Sequence, residues 1–145
     1  MSESIRSEIA IAATPERVWA VLMDFGSYPS WNPFIQSIAG DVRVGGSLVV
    51  RIVPPGGSGM TFKPIVTELR EPAVLEWLGH LIVPGIFDGR HRFELTPQSD
   101  GTTSLRQSEE FRGVIVPLFA SALENTHRGF EAANAALKAR CEGAP

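Results

Sequence analysis

The chain has 145 residues and a net charge of −3, with 43% hydrophobic and 20% charged residues. This length is typical of one ordinary domain and this composition of a folded globular protein, so we expect a single domain over 1–145. No run of Lys or Arg occurs, which disfavours a nucleic-acid-binding protein and a polybasic membrane anchor. The one cysteine, Cys141, excludes an internal disulfide and a Cys-x-x-Cys pair. The N-terminus lacks the apolar run of a signal peptide and no apolar stretch is long enough to span a bilayer, so we expect a cytoplasmic protein without an integral membrane segment.

The N-terminal part predicts a strand followed by helical segments. Alternation of apolar and polar residues over 5–12 indicates the strand. Thr14 is a good N-cap and Pro15 suits a first helical position, so we expect a helix from Pro15 to Asp24. The aromatic, proline-rich stretch that follows, Gly26–Pro33, favours a short helical turn.

The central part predicts six further strands separated by Gly, Pro and Asp turn residues. With the first strand they make seven, and their succession without intervening helices indicates an antiparallel sheet. The six strands are expected over Phe34–Ala39, Leu48–Val53, Met60–Leu69, Val74–Ile82, Phe87–Thr96 and Thr103–Phe111.

The C-terminal part predicts one long helix from Pro117 to Arg140, with Gly143 as a stop signal just beyond its end. Apolar side chains recur along it at helical spacing and form one stripe. The order of elements is that of an α+β fold, in which this stripe packs against the apolar face of the sheet. The stripe consists of Phe119, Leu123, Thr126, Phe130, Ala133 and Leu137.

Four stretches of the sequence resemble the START-like (SRPBCC) superfamily, in particular its polyketide cyclase/dehydrase and lipid-transport branch. They are Ala13–Trp19, Asp24-Phe25, Tyr28–Pro33 and Ser108–Gly113. The resemblance extends from about Glu3 to Arg140. It implies a helix-grip fold, in which a curved antiparallel sheet surrounds the long C-terminal helix, with two short helices near the N-terminus. It also implies a cavity between the sheet and that helix.

Strand alternation singles out one pair of polar residues as inward-facing. His91 shares a strand face with Phe93, and Glu109 shares one with Phe111. A hairpin turned at Ser99-Asp100-Gly101 would place His91 directly opposite Glu109. A histidine paired with a carboxylate in an apolar cavity is suited to orienting a polar ligand group or to acid–base chemistry, although a purely structural hydrogen-bonded pair is the alternative.

The residues expected to contact a ligand are the large or polar side chains predicted to face the cavity from the sheet, the N-terminal turn and the long helix. His80 is expected to face outward and His127 to flank the helix stripe. The three scattered histidines form no metal motif, so neither a metal nor another cofactor is expected. The expected ligand-contacting residues are Trp31, Phe34, Trp77, His91, Phe93, Gln107, Glu109, Phe111, Phe119, Leu123, Thr126 and Phe130.

Three functions are compatible with this pattern. The first is binding of a small hydrophobic molecule, such as a lipid or a polyketide, because such sites are lined by apolar side chains with few polar groups. The second is a cyclase or dehydratase that uses His91 and Glu109. The third is a protein-interaction module whose cavity is collapsed. Binding is favoured, since no nucleophile is predicted beside the one His and one Glu.

Overall fold

The computed structural model describes residues 2–81 and 83–143. It contains eight strands and three α-helices within that part of the chain, in an α+β order. The strands are β1 Ser2–Ile11, β2 Ile35–Gly40, β3 Leu48–Ile52, β4 Met60–Phe62, β5 Ile65–Arg70, β6 Val74–Leu81, β7 Phe87–Pro97 and β8 Thr103–Arg112. The helices are α1 Pro15–Met23, α2 Tyr28–Trp31 and α3 Ala120–Glu142, and short 3₁₀ turns over Phe25–Ser27 and Val116–Phe119 precede α2 and α3.

The strands form two antiparallel sheets that continue into each other. Five strands pair in the order β1-β8-β7-β6-β5, and three pair in the order β2-β3-β4. The sheets are joined where β3 begins, because Leu48 N donates to Pro64 O over 2.9 Å and Ser47 bridges to Ile65. The two sheets thus enclose one concave side, as the helix-grip interpretation predicts.

The predicted strand Met60–Leu69 is two strands in the structure, which raises the count from seven to eight. Lys63 and Pro64 separate β4 from β5. Proline has no backbone N–H to donate to a ladder, so pairing stops there and the chain passes from one sheet to the other. The predicted end of the next strand at Ile82 lies outside the described residues.

The β7–β8 hairpin has the predicted register. Leu95 lies opposite Leu105, Phe93 opposite Gln107, and His91 opposite Glu109. The turn depends on Gly101, whose φ of +88° is in the left-handed region that glycine adopts at little cost.

The helix α1 begins as the sequence predicts and ends one residue earlier than predicted. Its N-cap Thr14 accepts a hydrogen bond from Arg17 N over 3.2 Å, and Pro15 occupies the first turn. Tyr28, at the start of α2, is buried and donates its hydroxyl to Leu22 O over 2.5 Å. This bond ties the aromatic turn to α1, so the two short helices form one packed corner.

The helix α3 packs on the sheet along its C-terminal two thirds and opens away from it near its N-terminus. Thr126, Phe130, Ala133 and Leu137 of the predicted stripe are buried, whereas Phe119 and Leu123 are half-buried. The space below the first turns of α3 is therefore incompletely filled. No helix in the described ranges is long and apolar enough to cross a membrane.

Candidate functional site

A cavity of about 240 Å³ lies between the sheet and the N-terminal part of α3. Both sheets, the β3–β4 turn and α3 contribute to its wall, which is mainly apolar. Its lining consists of Phe34, Ile52, Pro54, Gly57, Ser58, Met60, Phe62, Gly79, His80, Phe87, Gly89, His91, Glu109, Phe111, Phe119, Ala122, Leu123, Asn125 and Thr126.

The exposure of the lining residues shows which end of the cavity is open. Ser58, Met60, His80 and Ala122 line the cavity and are also exposed to solvent, so they surround its mouth. Phe34, His91, Phe111 and Thr126 are buried and form its inner end. The mouth lies between the β3–β4 turn and the start of α3, and the inner end lies against β7 and β8.

Five phenylalanines give the cavity an aromatic wall. Phe87 packs against Phe111 and Phe119, with ring centroids 5.5 and 5.1 Å apart. Phe34 meets Phe130 of α3 edge-on at 5.6 Å, and Phe62 contributes from the smaller sheet. Such a wall favours an apolar, flat ligand, because aromatic rings pair well in edge-on and offset arrangements.

The ionisable side chains at the inner end are those of His91 and Glu109, the pair predicted from the sequence. His91 Nδ1 lies 3.3 Å from Glu109 Oε1, and both side chains are largely buried. The other carboxylate oxygen of Glu109 lies directly over Gly89, where a Cβ atom would overlap it. Gly89 therefore provides the room that lets this carboxylate lie along the cavity wall.

A chain of buried amides determines which nitrogen of His91 carries a hydrogen. The Ser7 carbonyl can only accept, so the Asn134 amide nitrogen faces it at 3.3 Å. Asn134 Oδ1 then accepts from Gln107 Nε2 over 2.7 Å, which leaves Gln107 Oε1 facing His91 Nε2 at 2.9 Å. Nε2 of His91 therefore carries a hydrogen, and Nδ1 is the nitrogen that faces Glu109.

Aromatic rings enclose the imidazole of His91. Its centroid lies 4.8 Å from those of Trp77 and Phe93 and 4.9 Å from that of Phe130. The imidazole is therefore packed between apolar surfaces, and its two nitrogens face Gln107 and Glu109. The Trp77 indole N–H is buried without a hydrogen-bond partner among the described residues.

The structure places seven of the twelve predicted contact residues on the cavity wall and five behind it. Gln107, Trp77, Phe93 and Phe130 hold His91 in position, and Trp31 packs on Tyr28, with its indole N–H donating to Ser27 Oγ over 3.0 Å. These five residues support the wall or the corner beside it and do not form the lining. The seven on the wall are Phe34, His91, Glu109, Phe111, Phe119, Leu123 and Thr126.

Half of the lining residues that the prediction omitted come from the smaller sheet and its turn, for example Ile52, Met60 and Phe62. Their contribution depends on how the two sheets meet, which strand alternation alone does not specify. The glycines at 79 and 89 are different, because they share a strand face with Trp77 and His91 respectively. Inward-facing glycines leave space, and this is the signal from which they could have been found.

The remaining histidines lie apart from the inner end. His80 is at the mouth and donates from Nδ1 to Asp88 Oδ1 over 2.8 Å, and this bond is the main reason why the pKa of Asp88 lies below its usual value. His127 donates from Nε2 to Arg6 O over 3.0 Å. It lines a separate surface groove of about 430 Å³ between β1 and α3, which also has Glu3, Arg6 and Glu124 in its wall.

No group of three His, Cys, Asp or Glu side chains in the described part of the chain is placed to hold a metal ion.

Comparison with known proteins agrees with this architecture. The sequence model of the family described as polyketide cyclase / dehydrase and lipid transport matches residues 2–142. No curated protein matches the chain at a significant level.

Solved structures with the same fold cover nearly the whole chain. A START superfamily protein from Mycobacterium smegmatis is 22% identical with a TM-score of 0.73, over 96% of this chain and 97% of that one. Protein CV1439 from Chromobacterium violaceum is 23% identical with a TM-score of 0.73, over 97% and 99%. The di-domain ARO/CYC BexL from the BE-7585A biosynthetic pathway is 12% identical with a TM-score of 0.73, over 99% of this chain and 51% of that one. At these identities the structural likeness shows the fold alone. The family match spans nearly the whole sequence, and the chain therefore belongs to the polyketide cyclase / dehydrase and lipid transport family.

Proposed function

We propose that this protein binds a small, largely apolar molecule in the cavity between the sheet and α3. The observation that carries the proposal is an open cavity of about 240 Å³ with an aromatic wall and one polar pair at its inner end. Ligand sites are typically apolar clefts in which a few polar groups fix the orientation of the ligand. The family supports a ligand-binding or cyclase role without naming a ligand.

The cavity volume limits the size of the ligand. At about 240 Å³ it is smaller than the sites of roughly 300–1,000 Å³ that hold drug-sized molecules. A compact molecule of one or two rings suits it better than a long acyl chain. Burying about 300 Å² of apolar ligand surface contributes roughly 7 kcal/mol at about 25 cal/mol per Å². An association cost of at least about 4 kcal/mol leaves no more than about 3 kcal/mol, so apolar burial by itself should give binding in the millimolar range.

A substitution at the mouth tests this proposal. Ala122 lines the cavity and is exposed, so Ala122→Trp should block the entrance with little effect on the fold. Ala135 is exposed on the same helix and does not line the cavity, so Ala135→Trp is the matched control. Equilibrium dialysis against 2-methylnaphthalene should show binding to the unmodified protein and to the control, and loss of binding in Ala122→Trp. Unchanged binding in Ala122→Trp would contradict the proposal.

A second candidate function is supported by the geometry of the polar pair. His91 Nδ1 and Glu109 lie within reach of one proton, as an acid–base pair requires. In a dehydration, the pair would take a proton from the carbon next to a ketone and return one to the leaving hydroxyl, which departs as water. No Ser or Cys nucleophile lies beside the pair on the cavity wall as described.

A β-hydroxy ketone distinguishes this enzyme from a binding protein. With 3-hydroxy-1-phenylpropan-1-one, an enzyme would accelerate formation of the unsaturated ketone, which absorbs in the ultraviolet. His91→Ala would abolish that acceleration while leaving the circular dichroism spectrum of the folded protein. Equal rates with and without the unmodified protein would speak against the dehydratase. The third function, an interaction module with a collapsed cavity, is disfavoured by the open volume.

A further inference from the structure

The polar groups of the cavity are arranged unevenly, and this bears on the ligand that it accepts. The inner end holds Glu109, His91 and Thr126. The hydroxyl of Thr126 donates to Ala122 O over 2.8 Å, which leaves only its acceptor lone pairs free. No Lys or Arg belongs to the lining among the described residues. The inner end therefore offers acceptors and no unpaired cation.

The amide chain determines what the His91–Glu109 pair can offer. Because His91 donates its Nε2 hydrogen to Gln107, it is Nδ1 that faces Glu109 Oε1, at 3.3 Å. The second carboxyl oxygen, Oε2, lies beside Gly89 on the cavity wall and is a hydrogen-bond acceptor there.

A ligand must match this acceptor. A hydroxyl or N–H group donates to Oε2 and completes its hydrogen bonding, whereas a ligand carboxylate brings only acceptors and a negative charge next to Glu109. The donors elsewhere on the wall belong to Ser58, Asn125 and His80, which lie in exposed or half-exposed positions where water competes.

We propose that the cavity selects compact aromatic molecules ending in a hydroxyl or N–H donor and rejects the same skeleton ending in a carboxylate. This inference rests on the proposed binding function and deepens it, because it names the chemical class of the ligand. Glu109 is the residue that sets this selectivity.

Three probes of one skeleton test the inference. Equilibrium dialysis at pH 7.5 compares 2-naphthol, 2-naphthoate and 2-methylnaphthalene. We expect the naphthol to bind at least tenfold more tightly than the naphthoate. Glutamine has the size of glutamate, and its amide adds a hydrogen-bond donor. In Glu109→Gln the preference for naphthol over naphthoate should therefore fall to threefold or less. Glu110→Gln is the matched control, since Glu110 follows on the same strand, pairs with Arg112 and is absent from the lining.

The outcomes separate the two proposals. Binding of 2-methylnaphthalene without preference between naphthol and naphthoate overturns the selectivity and leaves the binding function standing. Failure of all three probes to bind overturns both. If Glu109→Gln does not fold, the ratio of the naphthol and naphthoate affinities of the unmodified protein still tests the selectivity. Naphthoate that binds as tightly as naphthol contradicts the inference. A preference retained in folded Glu109→Gln overturns the role of Glu109.

Discussion

The Glu109 carboxylate lies over the cavity because the neighbouring strand has a glycine where any other residue would place a Cβ atom. That residue, Gly89, pairs with Phe111, two residue pairs along the ladder from His91 and Glu109 and on the same face. At the residue scale, strand alternation and the hairpin turn were sufficient to predict that His91 and Glu109 would meet. They were not sufficient to predict the link from Gln107 to Asn134, because this contact joins the sheet to α3 and depends on how the helix is rotated.

Gln107→Leu tests whether the amide chain positions His91. The substitution removes the acceptor of the His91 Nε2 hydrogen and the donor to Asn134. Leaving buried polar atoms unpaired should lower the free energy of unfolding by about 1–3 kcal/mol. In ¹⁵N NMR spectra of the unmodified protein, we expect a slowly exchanging Nε2–H signal from His91, and this signal should be lost in Gln107→Leu.

The control for this prediction is Gln98→Leu at the exposed end of the hairpin, where the side chain bonds only to Thr96 O. It should leave both the stability and the His91 signal unchanged. An Nε2–H signal from His91 that persists in Gln107→Leu would show that Gln107 does not determine the tautomer.

At the scale of elements, α3 both closes the core and leaves the cavity open. Its bounds were predicted within a few residues from the apolar spacing and from Gly143, whose N–H bonds to Ala139 O over 2.9 Å. The split of the predicted fourth strand at Pro64 was missed, although proline is a known interruption of a ladder. What the pattern could not specify is that Phe119 and Leu123 would remain half-buried, because this depends on the curvature of the two sheets beneath them.

Gly129→Ala tests the contact between α3 and Phe34, which lies just before β2. A Cβ atom at Gly129 would overlap the ring of the buried Phe34. Alanine is the better helix former by about 1 kcal/mol, yet overpacking costs about 1–3 kcal/mol, so we expect a net loss of stability in urea unfolding.

A double-mutant cycle with Phe34→Leu provides the control for Gly129→Ala. The smaller side chain should relieve the overlap, so the two substitutions together should cost less than the sum of their separate costs. Strictly additive costs would contradict the proposed contact.

At the scale of the whole molecule, the outer side of the five-stranded sheet is held by a network of charges. Glu76 accepts hydrogen bonds from Thr67, Arg90 and Arg92, which lie on the strands to either side of it. Burial by itself raises the pKa of Glu76, but these hydrogen bonds and the charge of Arg90 outweigh it, and the pKa lies below its usual value. Strand alternation alone does not identify a carboxylate at the centre of this network, because Glu76 takes its partners from two different strands.

Acid stability should therefore depend on Glu76. A carboxyl group with a lowered pKa in the folded state stabilises the protein above its unfolded pKa of about 4.3, and this contribution is lost as the pH falls through the folded value. Glu76→Gln should lower the free energy of unfolding at pH 7 by roughly 2 kcal/mol, and the difference should shrink below about pH 4. Urea unfolding between pH 3 and pH 7 measures both effects.

Glu124→Gln is the control for this pH dependence, because Glu124 is exposed and lies 3.9 Å from Arg128, a geometry that contributes little. Glu124→Gln should leave the free energy of unfolding nearly unchanged at every pH. If Glu76→Gln lowers the free energy of unfolding by the same amount at pH 3 and at pH 7, this would contradict the claim that the charge of Glu76 stabilises the protein.

The central claim, that a ligand enters the space between α3 and the sheet, is tested most directly by NMR on the complex with 2-naphthol. The cavity predicts intermolecular NOEs from the naphthalene protons to Phe111, Phe119 and Thr126 at and near its inner end. NOEs confined to the exposed apolar side chains of Val114 and Leu118, which lie outside the lining, would contradict it.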